Sequence, residues 1–339
     1  PASRKSSLAS VVVPMARRDL IGIGGSAGGL PALLDLLDSF EPEAPASLFV
    51  VLHRRNEAGH LLDILRRRSP IDVIEPEDGC PIHHGCLHLA PPDTHMLVGD
   101  GHVHLRGGPK ENNFRPAIDP LFRSLALFGQ SRATAVILSG YLDDGAAGCR
   151  AVLSTGGRVI VQDPNDATSP SMPRAAISAS GEPELIEKAG AIGQALSSLV
   201  AHEAGPGQEA SDATKLEIMI AGLEKASMSS EDRLGELSPY NCPDCNGVLW
   251  RIEDGPLSRF RCHTGHGYTQ AALAERQDEL LEQSMYDTLR SLREKARMMR
   301  DLAAKDDINR QAYLRRAADS DSDAANIERM ILQRTARAS

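Results

Sequence analysis

The stretch Leu20-Ile21-Gly22-Ile23-Gly24-Gly25-Ser26-Ala27-Gly28-Gly29-Leu30 reads as a strand, a glycine turn and the start of a helix. Gly24, Ser26 and Gly28 fit G-x-S-x-G, a pattern that seats a serine on a sharp turn at a strand's carboxyl end with its hydroxyl exposed. The N–H groups that open the following helix point at the same spot, where they favour a developing oxyanion. Two other readings stay open on this stretch alone. One is a turn that only packs strand against helix. The other is a dinucleotide-binding turn of the Rossmann kind, for which Gly22, Gly24 and Ala27 fit but which wants an acidic residue closing the second strand. The second strand, 47–52, is followed by His53 instead.

Outward from that stretch, strand-like and helix-like segments alternate from residue 19 to about 201. Strands are expected at 20–23, 47–52, 71–75, 86–89, 134–139 and 158–162, and helices at 30–39, 61–68, 119–128, 146–154 and 192–202. Several strands are continuous apolar runs, as strands buried on both faces are. This alternation predicts an α/β fold, a doubly wound, mainly parallel, Rossmann-like sheet. Residues 76–110, richer in Pro, Gly and His, are expected as a β-rich excursion. The full plan is a mobile tail at 1–17, the α/β domain at 18–202, a partly helical linker at 203–238, a Cys/His module at 239–270 and a helical hairpin at 271–335.

Bulk properties narrow the function classes. The net charge of −9 argues against a nucleic-acid partner. No apolar run approaches the roughly 20 residues of a membrane helix, and no signal peptide is legible, so a cytoplasmic protein without membrane insertion is expected. In that setting Cys80, Cys86 and Cys149 are expected to be reduced packing residues.

His53 and the stretch Asp143-Asp144-Gly145 each follow an apolar strand, as Ser26 does. Taken singly, His53 reads equally as a loop histidine and Asp144 as a helix N-cap. Together, three strand ends offering Ser, His and Asp supply a hydroxyl nucleophile, a base to take its proton and a carboxylate to orient the base. The chain order Ser, His, Asp differs from that of the α/β-hydrolases, so the triad would stand on another topology.

At this point 19–200 resembles the catalytic domain of the CheB family, the chemotaxis protein-glutamate methylesterases. The blocks that carry the resemblance are Gly24-Gly25-Ser26-Ala27-Gly28-Gly29, Val50 to His53, Leu89-Ala90-Pro91-Pro92-Asp93-Thr94-His95, Arg115-Pro116-Ala117-Ile118-Asp119 with Leu121-Phe122-Arg123-Ser124, Leu138 to Gly148, and Gln162-Asp163 through Met172-Pro173-Arg174-Ala175-Ala176. The resemblance puts the catalytic Ser, His and Asp on Ser26, His53 and Asp144. It implies hydrolysis of glutamyl methyl esters, with possible glutamine deamidation, on methylated chemoreceptor-like helical bundles, and signalling proteins of a chemotaxis-type pathway as further partners. Backbone N–H groups near Ala27 and the Tyr141 loop would hold the oxyanion, and catalysis needs no cofactor. Ala27 stands where Thr or Ser is common, and Tyr141-Leu142 where Met-Gly is usual; the bulkier pair is expected to narrow the site or change its substrate. The family's receiver domain does not precede these blocks, so a stand-alone member is expected. The alternative is a non-catalytic signalling scaffold that keeps the fold.

The second half carries Cys242-Pro243-Asp244-Cys245 and, sixteen residues later, Cys262-His263-Thr264-Gly265-His266. Two knuckles around a hairpin are a zinc-ribbon layout. Cys242, Cys245, Cys262 and His266 are the expected ligands of a structural zinc, with His263 as the alternative to His266. Beyond it, Leu281, Met285, Thr288, Leu292, Ala296, Met299 and Ala303 repeat at helical spacing, and a second helix follows the polar stretch at 304–307. This hairpin is expected either to pack on itself or to offer a coiled-coil-like surface, and residues 203–330 are a candidate regulator of the hydrolase.

Overall fold

The computed structural model describes residues 17–53, 60–223 and 235–338, with side chains to 334. The expected tail at 1–17, apart from Arg17, and residues 224–234 of the expected linker lie outside them. In chain order the elements are β1 (Leu20–Gly25), α1 (Gly29–Asp38), β2 (Ser47–Leu52), α2 (Leu61–Arg68), β3 (Asp72–Ile74), β4 (Cys80–Pro81), β5 (Cys86–Leu89), β6 (His95–Gly99), β7 (His102–Arg106), α3 (Ile118–Gly129), β8 (Ala133–Ile137), α4 (Ala146–Ser154), β9 (Arg158–Gln162), α5 (Ser171–Ser180), β10 (Leu185–Glu187) and α6 (Ala189–Ala201). After these come α7 (Asp212–Ala221), β11 (Glu236–Asn241), β12 (Val248–Asp254), β13 (Leu257–Cys262), β14 (Gly267–Thr269), α8 (Gln270–Ala303) and α9 (Arg310–Ala338).

Seven strands form one parallel sheet in the order β10-β9-β8-β1-β2-β5-β3. The winding reverses at β1: the chain first runs out through β2 and β5, then returns to lay β8 on β1's other edge. Such a reversal opens a crevice at the strands' carboxyl ends. One face buries Ile21, Ile23, Leu48 and Val50 beneath Leu33 and Leu36 of α1 and Ile192 and Leu196 of α6. The other buries Phe49, Val51, Ile137 and Val159 beneath Ile118, Phe122 and Leu125 of α3 and Val152 of α4. Both faces are apolar because both are covered, which is why these strands read as unbroken hydrophobic runs.

Gly24 has a packing reason. A Cβ there would stand 2.5 Å from Ile118 Cγ2, so the glycine lets the amino end of α3 lie directly on β1. The excursion forms the three-stranded sheet β4-β7-β6. Helix α5 was not anticipated. Its sequence, SMPRAAISAS, is short, small-residue-rich and carries Pro173, which weakens a helical period.

Chain contacts divide the protein into two compact units, 1–272 and 273–339. Inside the first unit, part of the expected linker is α7, and its Glu217 is 5% exposed. Glu217 meets Arg123 of α3 at 3.2 Å and Arg261 of β13 at 3.0 Å, and it pairs with Arg259. Glu111 completes the group, pairing with Arg123 and lying 3.1 Å from Arg261. Three arginines and two glutamates, none exposed, thus tie the α/β sheet, α7 and the second sheet, β11-β12-β13-β14, into one body. The second unit is an antiparallel helix pair in which Met285, Leu289, Ala324 and Ile331 cluster. Leu289 rather than Thr288 faces that seam, and Arg293–Glu328 and Arg334–Asp278 bridge its flanks at 2.8 and 3.0 Å.

Burial alone would raise the Glu217 carboxyl, but Arg123, Arg259 and Arg261 draw it from 4.5 down to about 2. A carboxyl depressed in the folded state stabilises above its unfolded value and loses that contribution as pH falls through the folded one. The unfolding free energy is therefore expected to drop as acid takes the protein from pH 4.5 towards about 2. Glu217→Gln should flatten that slope and cost about 3 kcal/mol at neutral pH, since it strands buried guanidinium charge. Urea titrations across pH check both; a variant as stable as the parent at pH 7 would contradict the network's role.

Candidate active site and Cys/His centre

The three candidate catalytic residues follow β2, β1 and β8, adjacent strands in the sheet. Ser26 closes β1, with its N–H donating to Ser139 O at 2.9 Å, and His53 N donates to the neighbouring Gly25 O at 3.0 Å. Gly28, at φ 76, begins α1 in the left-handed region and turns the chain away from Ser26. Ser26 therefore sits in the crevice on the strand between those that lead to His53 and Asp144.

His53 Nε2 lies 2.8 Å from Asp144 Oδ2, and both side chains are 2% exposed. Asp144 is saturated with donors. Oδ2 receives His53 Nε2 and Ile118 N (2.7 Å), and Oδ1 receives Asn112 Nδ2 (2.9 Å) and Asp119 N (3.2 Å). Two of these are the free N–H groups at the start of α3, which suit an anion. Burial raises the Asp144 carboxyl, yet the hydrogen bond and charge of His53, with Ile118 N–H and the Asn112 amide, bring it below the usual carboxylate range. Asp119 behaves oppositely: burial and the charge of Asp144 push it well above that range.

An ionised Asp144 only accepts, so the His53 proton is on Nε2 and the lone pair is on Nδ1. Nδ1 is buried and has no partner among the described residues. Phe114 stacks on the ring, with centroids 3.6 Å apart and planes 10° apart, and holds its orientation. The relay is thus assembled from Asp144 to His53, with the free nitrogen being Nδ1. The Ser26 hydroxyl makes no hydrogen bond to it here, a link that often forms only with substrate bound.

Of the expected oxyanion residues, Ala27 directly precedes Gly28 at the head of α1, and its carbonyl accepts the Ser139 hydroxyl at 2.7 Å. Tyr141 is 64% exposed and bonds to none of the three candidate catalytic residues. Two residues that sequence reasoning passed over belong to the site, Asn112 and Phe114. Their only local signal is Asn112-Asn113, consecutive residues at φ 51 and 72, a conformation that Asn tolerates better than most.

In the second sheet, the Sγ atoms of Cys242, Cys245 and Cys262 and a ring nitrogen of His266 lie within 4.8 Å of one another. Cys245 Sγ is 3.6 Å from Cys262 Sγ, and His266 Nδ1 is 3.7 and 3.5 Å from the sulfurs of Cys242 and Cys262. Bonds of about 2.3 Å to sulfur and 2.0–2.1 Å to nitrogen at tetrahedral angles span such separations, so the donor set fits zinc. His263 is not in the cluster; its ring lies against Gly247 instead.

The crevice, its parallel sheet and its buried His–Asp pair define an α/β protein built for chemistry at strand ends. The family model for CheB methylesterase matches residues 21–196, over half of the chain, and the chain belongs to that family. It is 34% identical to a protein-glutamate methylesterase/protein-glutamine glutaminase of Methanosarcina mazei over 46% of this chain and 45% of that one. It is 36% identical to one of Anaeromyxobacter dehalogenans over 48% of each. The chain spans about half the length of these curated relatives. The solved CheB methylesterase catalytic domain of Thermotoga maritima matches 54% of this chain and 98% of its own, at 32% identity and a TM-score of 0.51.

Whichever way an amide sits at position 144, its NH2 group faces a backbone N–H that can only donate, that of Ile118 or that of Asp119. Asp144→Asn is therefore expected to lose about 2–3 kcal/mol of unfolding free energy by leaving buried donors unpaired. Denaturant unfolding measures it, and a change within about 0.5 kcal/mol, the scatter of neutral surface substitutions, would refute this account of the carboxylate.

Proposed function

We propose that this protein is a cytoplasmic serine hydrolase that removes methyl groups from glutamyl methyl esters of chemoreceptor-like helical bundle proteins in chemotaxis-type signalling. The observation that carries the reading is the 2.8 Å bond from His53 Nε2 to a buried, ionised Asp144 beside the strand that ends in Ser26. Family membership and the printed activity of the relatives supply the substrate class. Among the described residues no helix is long and apolar enough to cross a membrane.

In this mechanism Ser26 Oγ adds to the ester carbonyl carbon as its proton passes to His53 Nδ1. Asp144 stabilises the resulting imidazolium, and the Ala27 N–H at the head of α1 faces the oxyanion. The carbon–methoxy bond then breaks, and methanol leaves with the proton from His53. Water repeats the sequence on the acyl-enzyme, releasing the glutamate carboxylate and freeing Ser26. A glutamine side chain follows the same route with ammonia as the leaving group, so one site serves deamidation as well.

Full-length protein is expected to release methanol from methylated receptor preparations and to be labelled once by a fluorophosphonate at Ser26. Ser26→Ala should abolish labelling and lower turnover by at least about 10³-fold. A parent protein that is never labelled, or an alanine variant labelled as strongly, would favour the signalling scaffold instead.

We also propose that Cys242, Cys245, Cys262 and His266 bind zinc. Four protein ligands leave no open position, so the metal supplies folding energy to a sheet whose own core is small. Metal analysis of protein purified without chelator should give one zinc per chain, and Cys262→Ser should give much less; an equal zinc content in the two would exclude this ligand set.

A further inference from the structure

The edge of the Cys/His sheet is bonded to the 110–114 loop, whose Asn112 reaches Asp144. Strand β14 pairs with β13 on one side. On its other side it lies along 110–112: Gly267 N donates to Lys110 O at 3.2 Å, and Asn112 N donates to Gly267 O at 2.8 Å. Thr269 N donates to Asn112 Oδ1 at 2.9 Å, while the Thr269 hydroxyl donates to Asp143 Oδ1 at 2.6 Å. Asn112 is 2% exposed, and its amide donates to Asp144 Oδ1 and to Asp119 Oδ2 at 2.9 and 3.0 Å.

These bonds settle the direction of the Asn112 side chain. Thr269 N–H requires an acceptor, so oxygen faces β14 and nitrogen faces the two carboxylates. Every hydrogen-bonding group of that amide is used, and a left-handed backbone at φ 51 is held in place by them. The ligand His266 immediately precedes β14, and Cys262 N donates to His266 O at 3.0 Å. From the metal cluster to Thr269 is therefore three residues of strand with no slack, since extended chain advances only about 3.3 Å per residue.

We infer that the Cys/His module is a clamp on the acid half of the triad: metal bound at Cys242, Cys245, Cys262 and His266 fixes β14, which holds Asp144 against His53 by two links, the Thr269 N–H on Asn112 and the Thr269 hydroxyl on the adjoining Asp143. Asn112 and Thr269 are positioning residues, not catalytic ones. The inference rests on the reading of Ser26, His53 and Asp144 as one site, and it makes zinc a structural effector of that site without contact with substrate. A module that merely covered the crevice would inhibit it, whereas a clamp supports it, so the two roles give opposite responses to metal removal.

The test uses the full-length protein and three readouts: zinc content, fluorophosphonate labelling of Ser26, and the low-field NMR resonance of the His53 Nε2 proton, assigned by its loss in His53→Gln. Thr269→Val keeps the β-branched shape and the strand's backbone bonds but deletes the hydroxyl's bonds to Asp143 and to the Ala272 N–H at the head of α8. It is expected to retain about one zinc per chain, to be labelled about 10- to 100-fold more slowly, and to broaden the His53 resonance, the penalty of slight misplacement. Thr269→Ser, which restores the hydroxyl, should recover both. Chelation of the parent should reproduce the slow labelling and broadened resonance, and added zinc should reverse them. If Thr269→Val holds zinc with parental labelling and resonance, or if chelation speeds labelling, the clamp is overturned. A parent never labelled at Ser26 refutes the esterase reading alone, because the resonance still reports whether β14 orders the His53–Asp144 pair.

Discussion

A carboxylate in a dry interior must be surrounded by donors or give up its charge, and the structure around the crevice is arranged by that requirement at Asp144. Four N–H groups reach it, one each from β2's end, the 110–114 loop and two from the head of α3. Each donor constrains an element. Helix α3 must set its amino terminus directly on β1, which needs the absence of a side chain at Gly24. His53 must lie flat, which Phe114 ensures. The neighbouring Asp119 bears the cost: one buried negative charge can be compensated here, and the second carboxyl is driven towards its neutral form.

The 110–114 loop is where these constraints converge. Glu111 enters the arginine cluster, Asn112 bonds to Asp144 and Phe114 covers His53, so three consecutive functions fall within four residues. An irregular loop would be a poor scaffold for such precision if it hung free. Here one edge is fixed by β14 and its far end runs into α3, so the loop is held as firmly as a strand. In the arginine cluster the cost of desolvating five charges offsets much of their attraction, so what it mainly imposes is the requirement that all five partners be present together.

Much of this was legible in the sequence and some was not. Apolar runs between glycine turns placed β2, β5, β9, α2 and α4 at their observed bounds, because period and punctuation are local signals. Ser26, His53 and Asp144 stood out as candidates because each follows such a run, and parallel strands carry their ends to one side. Asn112 and Phe114 were missed because a loop residue's value lies in what approaches it from 30 or 150 positions away. Asp212–Ala221 looked like part of a linker for the same reason: nothing local tells that Glu217 will be buried against three arginines. The choice between His266 and His263 was likewise open, since both sit within reach of the second knuckle and only the path of the hairpin separates them.

The elements that brace Asp144 from outside, α7 and β11 to β14, all lie beyond residues 21–196, the part that defines the family. An appended module usually meets its host through a solvated, separable interface. This one bonds Thr269 to Asn112 and Asp143, the neighbours of Asp144, and shares a buried charge cluster with α3, so neither side can be removed without stranding polar groups of the other. Fully charged groups make such a junction unforgiving: an apolar interface loses area by degrees, whereas a buried guanidinium or carboxylate left without its partner costs several kcal/mol at once. The candidate active site and the Cys/His sheet therefore belong to one compact unit, joined by bonds that neither can lose without leaving buried polar groups unpaired in the other.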